Sequence, residues 1–260
     1  FIPLIIAIYR SFFETTINSS TFIGFKYYIK IITNKNFILS IGNLLVFSVI
    51  ITTLQIVLSF LFANVLIKIG GSFGGFARAI IYLPYLLSGV VVAVIFTLLT
   101  TYNGGVLNSI LESIGLNPIA WNNDSFWSPI SIILPTLWIG FGYTTLVMYA
   151  GLINIPKDYY EAAEIDGANE FKIMTRIVFP LVRTVFTTIM LIKFVEYWND
   201  YQTPLLYLPT HPTLAYGVYS LSVTNINGMS NVPMRMAGCV ILLVPILIVF
   251  ISFRKKIMGN

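Results

Sequence analysis

The sequence contains very little charge. Of its 260 residues only 10% are Asp, Glu, Lys or Arg, whereas an ordinary soluble domain carries about 25%. Hydrophobic residues make up 57%, and the mean hydropathy is +0.86, which excludes a water-soluble globular protein. Because one membrane span requires about 20 apolar residues, the length accommodates about six spans and their loops. We therefore expect an all-α membrane protein with six transmembrane helices, forming a single transmembrane domain over residues 1–260.

Cysteine and histidine are almost absent as well. The single cysteine cannot form an internal disulfide, and with only one histidine there is no His/Cys cluster for a structural zinc or a haem. An enzyme acting inside the membrane would need a nucleophile with a base, or a metal set, at membrane depth, and the sequence offers neither. The excess of 15 Lys and Arg over 10 Asp and Glu is attributed to membrane topology and not to nucleic-acid binding.

Long uncharged stretches place the spans. Two of them, residues 36–67 and 125–156, are each long enough to cross a bilayer. Proline and glycine inside the second of them predict a bend. The sequence begins inside an apolar run without Met or a basic segment, so we expect the first span to be truncated at its N-terminus. The six predicted spans lie at residues 1–13, 36–67, 79–101 and 125–156, from residue 184 onwards, and at residues 236–253.

The first connection between spans, residues 14–36, combines apolar side chains at helical spacing with lysines. This pattern predicts a short helix lying in the membrane interface. The apolar residues are Phe25, Tyr28, Ile29 and Ile32, and the lysines are Lys26, Lys30 and Lys35.

Three later connections have different compositions. Residues 70–75 are rich in glycine but lack the Gly-Lys-Ser/Thr sequence and the preceding strand of a phosphate loop, so they predict a tight connection. Residues 103–123 contain no Lys or Arg, which favours an external loop, with Trp121 and Trp127 in an aromatic belt. Residues 201–235 are rich in Pro, Asn, Thr and Tyr and predict a re-entrant or external segment.

The composition changes abruptly after the fourth span. Nine charged residues lie between positions 157 and 183, so this segment must lie in water. Pro156 suits the first turn of a helix, and Gly167 suits the left-handed conformation that ends one. Asn169 can then cap a second helix, which Pro180 interrupts. The predicted helix-turn-helix loop covers residues 155–183, and the apolar stripe of its second helix consists of Phe171, Met174 and Ile177 or Val178.

Two interpretations of this apolar stripe are open, docking on a partner protein or lying on lipid headgroups. The five acidic residues of the loop disfavour the second, because the cytoplasmic leaflet is anionic. With the loop inside, nine basic residues fall on the inner side and four on the outer side, in agreement with the positive-inside rule. The loop is therefore expected in the cytoplasm.

The loop also resembles a known motif. Glu161-Ala162-Ala163, Gly167 after three further residues, Ile177 after nine more, and Pro180 resemble the EAA loop of permease subunits of ABC-type importers. The pattern departs from the family only at Phe179, where Leu is usual. The resemblance extends over nearly the whole chain. Residues 82–88 and 151–156 are similar to segments of the carbohydrate-importer branch, which includes maltose and glycerol-phosphate systems; residues 198–201, 204–205 and 236–238 are similar to the second of its two permease subtypes, and residues 22–25 to the first.

The resemblance implies a set of partners in a bacterial or archaeal cytoplasmic membrane. It implies a second permease subunit, expected to form a heterodimer with this chain, two cytoplasmic ATP-binding subunits and an extracytoplasmic solute-binding protein. ATP and Mg²⁺ would bind to the ATPase subunits, and this chain would bind no cofactor and catalyse no reaction. In this family the EAA helices dock in a cleft of the ATPase. The residues that the resemblance assigns to this coupling are Tyr160, Glu161, Ala162, Ala163, Asp166, Gly167, Ala168, Phe171, Ile177 and Pro180.

Polar side chains within the spans indicate a candidate solute path. Lys193 and Glu196 lie three residues apart on one helix face, where they form either a self-neutralising pair or part of a polar lane. Aromatic rings offer flat surfaces to the C–H faces of a sugar, while amides and carboxylates accept hydrogen bonds from its hydroxyls. Polar side chains in a span must face protein or water. The candidate lane consists of Tyr85, Tyr143, Tyr197, Trp198, Asn199 and Asp200, and the amides of the second span expected to point inward are Asn43, Gln55 and Asn64.

The favoured function is a translocation subunit for a sugar or oligosaccharide. A permease for a non-carbohydrate solute remains an alternative, because the sequence does not identify the solute. A self-sufficient secondary transporter is the other alternative. It would show an internal repeat or paired interrupted helices, and the charged two-helix loop would have no role in it.

Overall fold

The computed structural model is almost entirely helical in the residues that it describes, which are 2–15, 20–124, 126–207, 213–223 and 232–258. The single histidine, His211, and parts of the predicted segment 201–235 lie outside these residues. The first half contains α1 (Ile2–Ser11), β1 (Phe13–Thr15), β2 (Ser20–Phe22), α2 (Lys26–Ile32), α3 (Lys35–Ile69), α4 (Gly71–Tyr82), a 3₁₀ turn (Leu83–Leu86), α5 (Gly89–Thr100) and α6 (Val106–Ser113). The second half contains α7 (Trp127–Ile153), α8 (Asp158–Ile165), α9 (Glu170–Ile173), a π-helical turn (Met174–Val178), α10 (Phe179–Leu181), α11 (Arg183–Trp198), α12 (Gln202–Tyr207), α13 (Leu214–Val223) and α14 (Val232–Met258).

The chain divides into two compact units. The first unit comprises Phe1–Ser48 and Val195–Arg254, and the second comprises Val49–Phe194 and Lys255–Asn260. The buried core of the first unit gathers side chains from α2 and α14. The core of the second unit gathers side chains from α3, α7, α8 and α11, together with the π-helical turn. The charged loop therefore packs into the core of the second unit and is not a free surface loop.

Three of the described helices are long and apolar enough to cross a membrane alone, namely α3, α7 and residues Val232–Phe253 of α14. Two bent pairs pass the same test together, and counting each pair as one span gives up to five. The shorter apolar helix α1 adds a further apolar segment near the start of the described chain. The chain is a multi-pass membrane protein, and six spans remain a prediction.

The third predicted span is not one continuous helix. The 3₁₀ turn that contains Pro84 separates α4 from α5, and the axis turns by 95° across this break. Ser88 begins the new direction, because its hydroxyl caps α5 by accepting a hydrogen bond from the Val91 amide. The glycine-rich connection is also shorter than predicted, since α4 already begins at Gly71. Hydropathy therefore located this segment but not its break.

Helix α7 remains one element although it contains Pro135. Its glycines allow neighbouring helices to approach closely. A Cβ atom on Gly142 would overlap the carbonyl oxygen of Ile81 in α4. Close backbone contact through small residues is a common way to pack helices in membranes.

The loop after α5 is organised by one buried amide. The Asn108 side chain donates to the carbonyl oxygens of Tyr102 and Ile119 and accepts from the indole of Trp121, each at 3.0 Å. Trp121 is therefore buried inside the chain and does not face lipid headgroups as predicted for an aromatic belt.

Two short strands, β1 and β2, were not predicted. They pair antiparallel, with Phe13 opposite Phe22. The helix predicted in residues 14–36 is confirmed as α2, which follows β2.

Candidate functional site

The charged loop folds as the predicted helix-turn-helix. Gly167 adopts φ 71°, a conformation that L side chains rarely adopt, and it ends α8. The amide of Ala168 donates to the Ala163 carbonyl at 2.9 Å, which closes the turn. The Asn169 side chain then accepts from the Lys172 amide at 2.9 Å and caps α9. These contacts set the direction of the second helix relative to the first.

One face of this loop is anchored in the core of the second unit. Ala163, Ile173 and Val178 are buried there, in one cluster with Met148 and Leu152 of α7. Burial of each large apolar side chain contributes about 1.5–3 kcal/mol. The loop is therefore held against α7 and α11 by this buried cluster.

The apolar stripe that was predicted to dock on a partner does not lie on one face. Phe171 is 76% exposed, as a docking residue should be, but Val178 is fully buried, and Met174 and Ile177 pack against the core of their own unit. Phe171 and Ile173 face opposite ways, and Ile173 is 5% exposed, because positions two apart on a helix lie about 200° apart. The π-helical turn at Met174–Val178, in which hydrogen bonds join residues five apart, brings positions 173 and 178 to one face.

Polar contacts join the same loop to the ends of other helices. The Lys68 ammonium at the end of α3 lies 2.8 Å from a Glu170 carboxylate oxygen at the start of α9. This hydrogen bond and the charge of Lys68 lower the pKa of Glu170 below its ordinary value. Outside the loop, the Arg78 guanidinium of α4 donates to the Tyr149 hydroxyl of α7 at 2.9 Å and lies over the Tyr149 ring. Tyr160 is half-buried, and burial raises the pKa of its phenol.

The opposite face of the loop is exposed and has a distinct composition. Ile165 is 86% exposed and Phe171 is 76% exposed. Acidic side chains on α8 and in the turn are exposed as well. Exposed large apolar side chains among charged ones are typical of a protein docking surface. We name this exposed side of the loop the coupling face, and it consists of Glu161, Glu164, Ile165, Asp166 and Phe171.

The ten residues that the sequence assigned to coupling divide between the two faces. Ala163 is buried, and Tyr160, Ala168 and Ile177 pack against the core. They hold the loop in place. The exposed members are Glu161, Ala162, Asp166, Gly167, Phe171 and Pro180.

The candidate solute lane also divides, between the two units. Within the second unit, the rings of Tyr85 and Tyr143 stack with centroids 4.9 Å apart. Gln55 of α3 is fully buried, as predicted, and its amide donates to the Thr144 hydroxyl at 3.0 Å. Asn64 instead donates to the Phe60 carbonyl of its own helix.

Lys193 joins this cluster in a way that its sequence position did not reveal. The side chain is 1% exposed, and its ammonium lies 5.8 Å from the centroid of the Tyr143 ring. A Cβ atom on Gly140 would lie 3.2 Å from this ammonium and would overlap the Gln55 amide. A buried cation with a stacked pair of aromatic rings thus lies between α3, α7 and α11. The charge within an apolar span was a signal for a functional group, but nothing in the sequence identified Tyr143 as its neighbour.

The remaining lane residues belong to the first unit. Tyr197 and Trp198 are buried, and the Trp198 indole donates to the Leu242 carbonyl at 2.9 Å. Asn199 donates to the Val195 carbonyl of its own helix. Asp200 accepts the amides of Gln202 and Thr203 at 3.0 Å and so caps α12. These contacts give the Trp198 indole, the Asn199 amide and the Asp200 carboxylate partners within the first unit.

Within the described ranges, no group of three or more His, Cys, Asp or Glu side chains is placed to hold a metal ion.

Comparison with known proteins identifies related chains. Residues 55–257 match the family described as the binding-protein-dependent transport system inner membrane component. An osmoprotective compounds uptake permease protein of Synechocystis sp. is 30% identical over 189 residues, 70% of this chain and 66% of that protein. A galactooligosaccharides transport system permease protein of Bacillus subtilis is 35% identical over 158 residues, 60% of this chain and 37% of that protein. The chain thus spans 37% to 66% of the length of these two curated relatives.

Solved structures show the same fold. A bacterial ABC transporter involved in the import of the acidic polysaccharide alginate superimposes with a TM-score of 0.79 at 22% identity, over 100% of this chain and 90% of that chain. A bacterial alginate ABC transporter in complex with an alginate pentasaccharide-bound periplasmic protein gives a TM-score of 0.76 at 23% identity, over 98% of this chain and 88% of that chain. The likeness confirms the predicted all-α membrane fold.

Proposed function

The chain belongs to the family of inner membrane components of binding-protein-dependent transport systems, and we propose that it is one permease subunit of an ATP-driven importer. Its family membership confirms the resemblance to importer permeases that the EAA-like loop indicated. Such a subunit forms half of a translocation path and binds its ATPases through a loop. ATP and Mg²⁺ bind to the partner ATPases, and this chain provides the path and the coupling face.

The observation that carries the proposal is the two-sided structure of the loop. Its inner side, including Ala163 and Ile173, is fixed in the core of the second unit. Its outer side exposes Ile165 and Phe171 among acidic side chains. Exposed large apolar side chains on a charged element that is held by the core favour a protein partner. Their contact with water is unfavourable, and anionic lipid repels the acidic side chains of the same loop. The ATPase is the partner that the resemblance assigns to this loop.

The proposed topology places residues 155–183 in the cytoplasm. It follows from the greater number of basic residues on that side of the predicted spans. A second permease subunit covers part of the apolar helix surface, and an extracytoplasmic binding protein delivers the solute. The solved alginate transporter in complex with an alginate pentasaccharide-bound periplasmic protein supports the latter partner.

The proposed solute is a sugar or oligosaccharide. Tyr85 and Tyr143 offer a stacked aromatic surface, and the buried Lys193 ammonium lies 5.8 Å from the centroid of the Tyr143 ring. Flat rings with a few polar groups suit the alternating C–H and hydroxyl surfaces of a saccharide. The galactooligosaccharide permease among the relatives supports this class of solute.

Reconstituted transport tests the proposal. The chain is assembled in proteoliposomes with its second permease, ATPases and binding protein, and uptake of radiolabelled oligosaccharides is measured with and without ATP. We expect uptake that requires ATP and the binding protein. Uptake by this chain alone, driven by an ion gradient, would show that it is a secondary transporter. Tyr143→Ala separates path from assembly, because it should reduce uptake while the complex and its stimulated ATPase activity persist.

A further inference from the structure

The N-terminal part of the first unit carries a positive charge that importing a solute does not explain. Between residues 2 and 48 there are four basic residues, Arg10, Lys26, Lys30 and Lys35, and one acidic residue, Glu14. In the proposed topology α3 crosses the membrane between this region and the cytoplasmic loop, so these cations lie on the outer side. The positive-inside rule disfavours them there. A counter-charge at that position would offset this disadvantage.

We propose that α2 lies in the membrane interface and binds anionic phospholipid headgroups through Lys26 and Lys30. The inference rests on the proposed topology and is independent of the solute that the chain transports.

The orientation of α2 is fixed by its buried face. Tyr27 and Ile31 are buried in one cluster with Met234 and Ala237 of α14. The Tyr28 hydroxyl lies 2.6 Å from that of Ser11 at the end of α1. Helix α2 is thus attached to two neighbouring helices, and its remaining faces have a defined direction.

A second face of α2 is apolar and exposed. Phe25, Ile29 and Ile32 are spaced by four and three residues, which places them on one sector of the helix. All three side chains are more than half exposed. Ile5 of α1 and Ile38 of α3, the helices that precede and follow α2, are exposed as well. Both of these helices are apolar, so lipid is the occupant that suits α2 together with its neighbours.

The third face carries the lysines. Lys26 and Lys30 lie four residues apart, on the sector that borders the apolar stripe, and both are exposed. Lysine stems can follow apolar surface while the ammonium reaches headgroup phosphate. An apolar stripe bordered by lysines is the arrangement of helices that lie on anionic membranes.

Glu14 modulates one of these two cations. Its carboxylate lies 3.3 Å from the Lys26 ammonium, and it also accepts from the Tyr27 hydroxyl at 3.2 Å. Within the described part of the chain, Lys30 forms no such ion pair. Lys30 should therefore contribute more to lipid binding than Lys26.

Lipid titration of the purified, detergent-solubilised complex tests this proposal. Binding of phosphatidylglycerol and of phosphatidylcholine is counted by native mass spectrometry. Lys30→Gln should weaken phosphatidylglycerol binding about fivefold, and the double variant with Lys26→Gln up to about 25-fold, following the usual effect of a basic residue near an anionic surface. Glu14→Gln should strengthen it, because Lys26 loses its internal partner. Phosphatidylcholine binding should not change.

The matched control removes two exposed lysines from the cytoplasmic loop, Lys157→Gln with Lys172→Gln, and should leave binding unchanged. Wild-type phosphatidylglycerol binding by the Lys26 and Lys30 double variant would overturn the proposal. The same double variant with unchanged lipid binding but weaker stimulation by the solute-binding protein would show that α2 docks on that protein instead. The lipid measurement requires no transport, so its outcome is separate from that of the proposed function.

Discussion

Two residues of α9 provide a sharp test of the coupling face. Phe171 and Ile173 lie two positions apart, but Phe171 is 76% exposed and Ile173 is 5% exposed. Truncating either to alanine removes most of a large apolar side chain. The two variants should nevertheless fail in different ways, because only Phe171 is available to a partner and only Ile173 supports the chain itself.

The expected magnitudes follow from these exposures. Complete burial of such a side chain is worth about 1.5–3 kcal/mol, so covering the exposed 76% of Phe171 contributes about 1.1–2.3 kcal/mol to docking. Phe171→Ala should therefore weaken ATPase binding about 7- to 50-fold. Its free energy of unfolding should change by no more than about 0.5 kcal/mol, as for other surface substitutions. Ile173→Ala should instead cost about 2–5 kcal/mol of stability.

The assay measures ATPase affinity by surface-immobilised binding and thermal unfolding on the same preparations. Wild-type ATPase affinity in Phe171→Ala would refute the docking of this face. A loss of stability in Phe171→Ala as large as that in Ile173→Ala would refute the assignment of the two faces.

Three further changes test the loop. Gly167→Val should abolish ATP-dependent uptake by membrane vesicles, because a β-branched residue resists φ 71° and would redirect α9; normal uptake would contradict this. Glu161→Lys should reduce uptake more than Glu112→Lys, since an unpaired charge is costly at an interface and well screened on an external loop; equal uptake would contradict the orientation of the loops. Glu170→Gln should lower the unfolding temperature above the ordinary pKa of Glu170, and this difference should fade as the pH falls through its lowered folded-state pKa, because Lys68 pairs with the ionised carboxylate; a difference that persists in acid would exclude this pairing.

The sequence located the continuous spans α3 and α7 well. An uncharged stretch as long as a bilayer is thick is most simply explained by a membrane-spanning helix. The stretch 36–67 became Lys35–Ile69, and the stretch 125–156 became Trp127–Ile153. Hydropathy carries no information on direction, so the 95° break beside Pro84 was missed. The helix-turn-helix was predictable because Gly167 and Asn169 act locally on the backbone.

Other features depend on contacts between distant residues. The sequence placed Phe171 and Ile177 or Val178 on one docking stripe because the pattern assumed a regular α-helix. The π-helical turn changes the register, so that Val178 is buried and Ile177 packs against the core. Lys193 attracted attention as a charge inside a span, but its position over Tyr143 depends on the space left by Gly140. The ion pair between Lys68 and Glu170 joins residues 102 positions apart and had no local signal.

Site-directed crosslinking tests the central claim most directly. In a Cys239→Ser background, Ile165→Cys places a thiol at the most exposed apolar position of the coupling face, and Glu112→Cys is the control on the predicted external loop. Each variant is assembled with ATPase subunits and treated with a short thiol crosslinker. We expect a crosslink to the ATPase from position 165 and none from position 112. Absence of a crosslink from position 165 in an intact complex that hydrolyses ATP, or a crosslink from position 112, would contradict it.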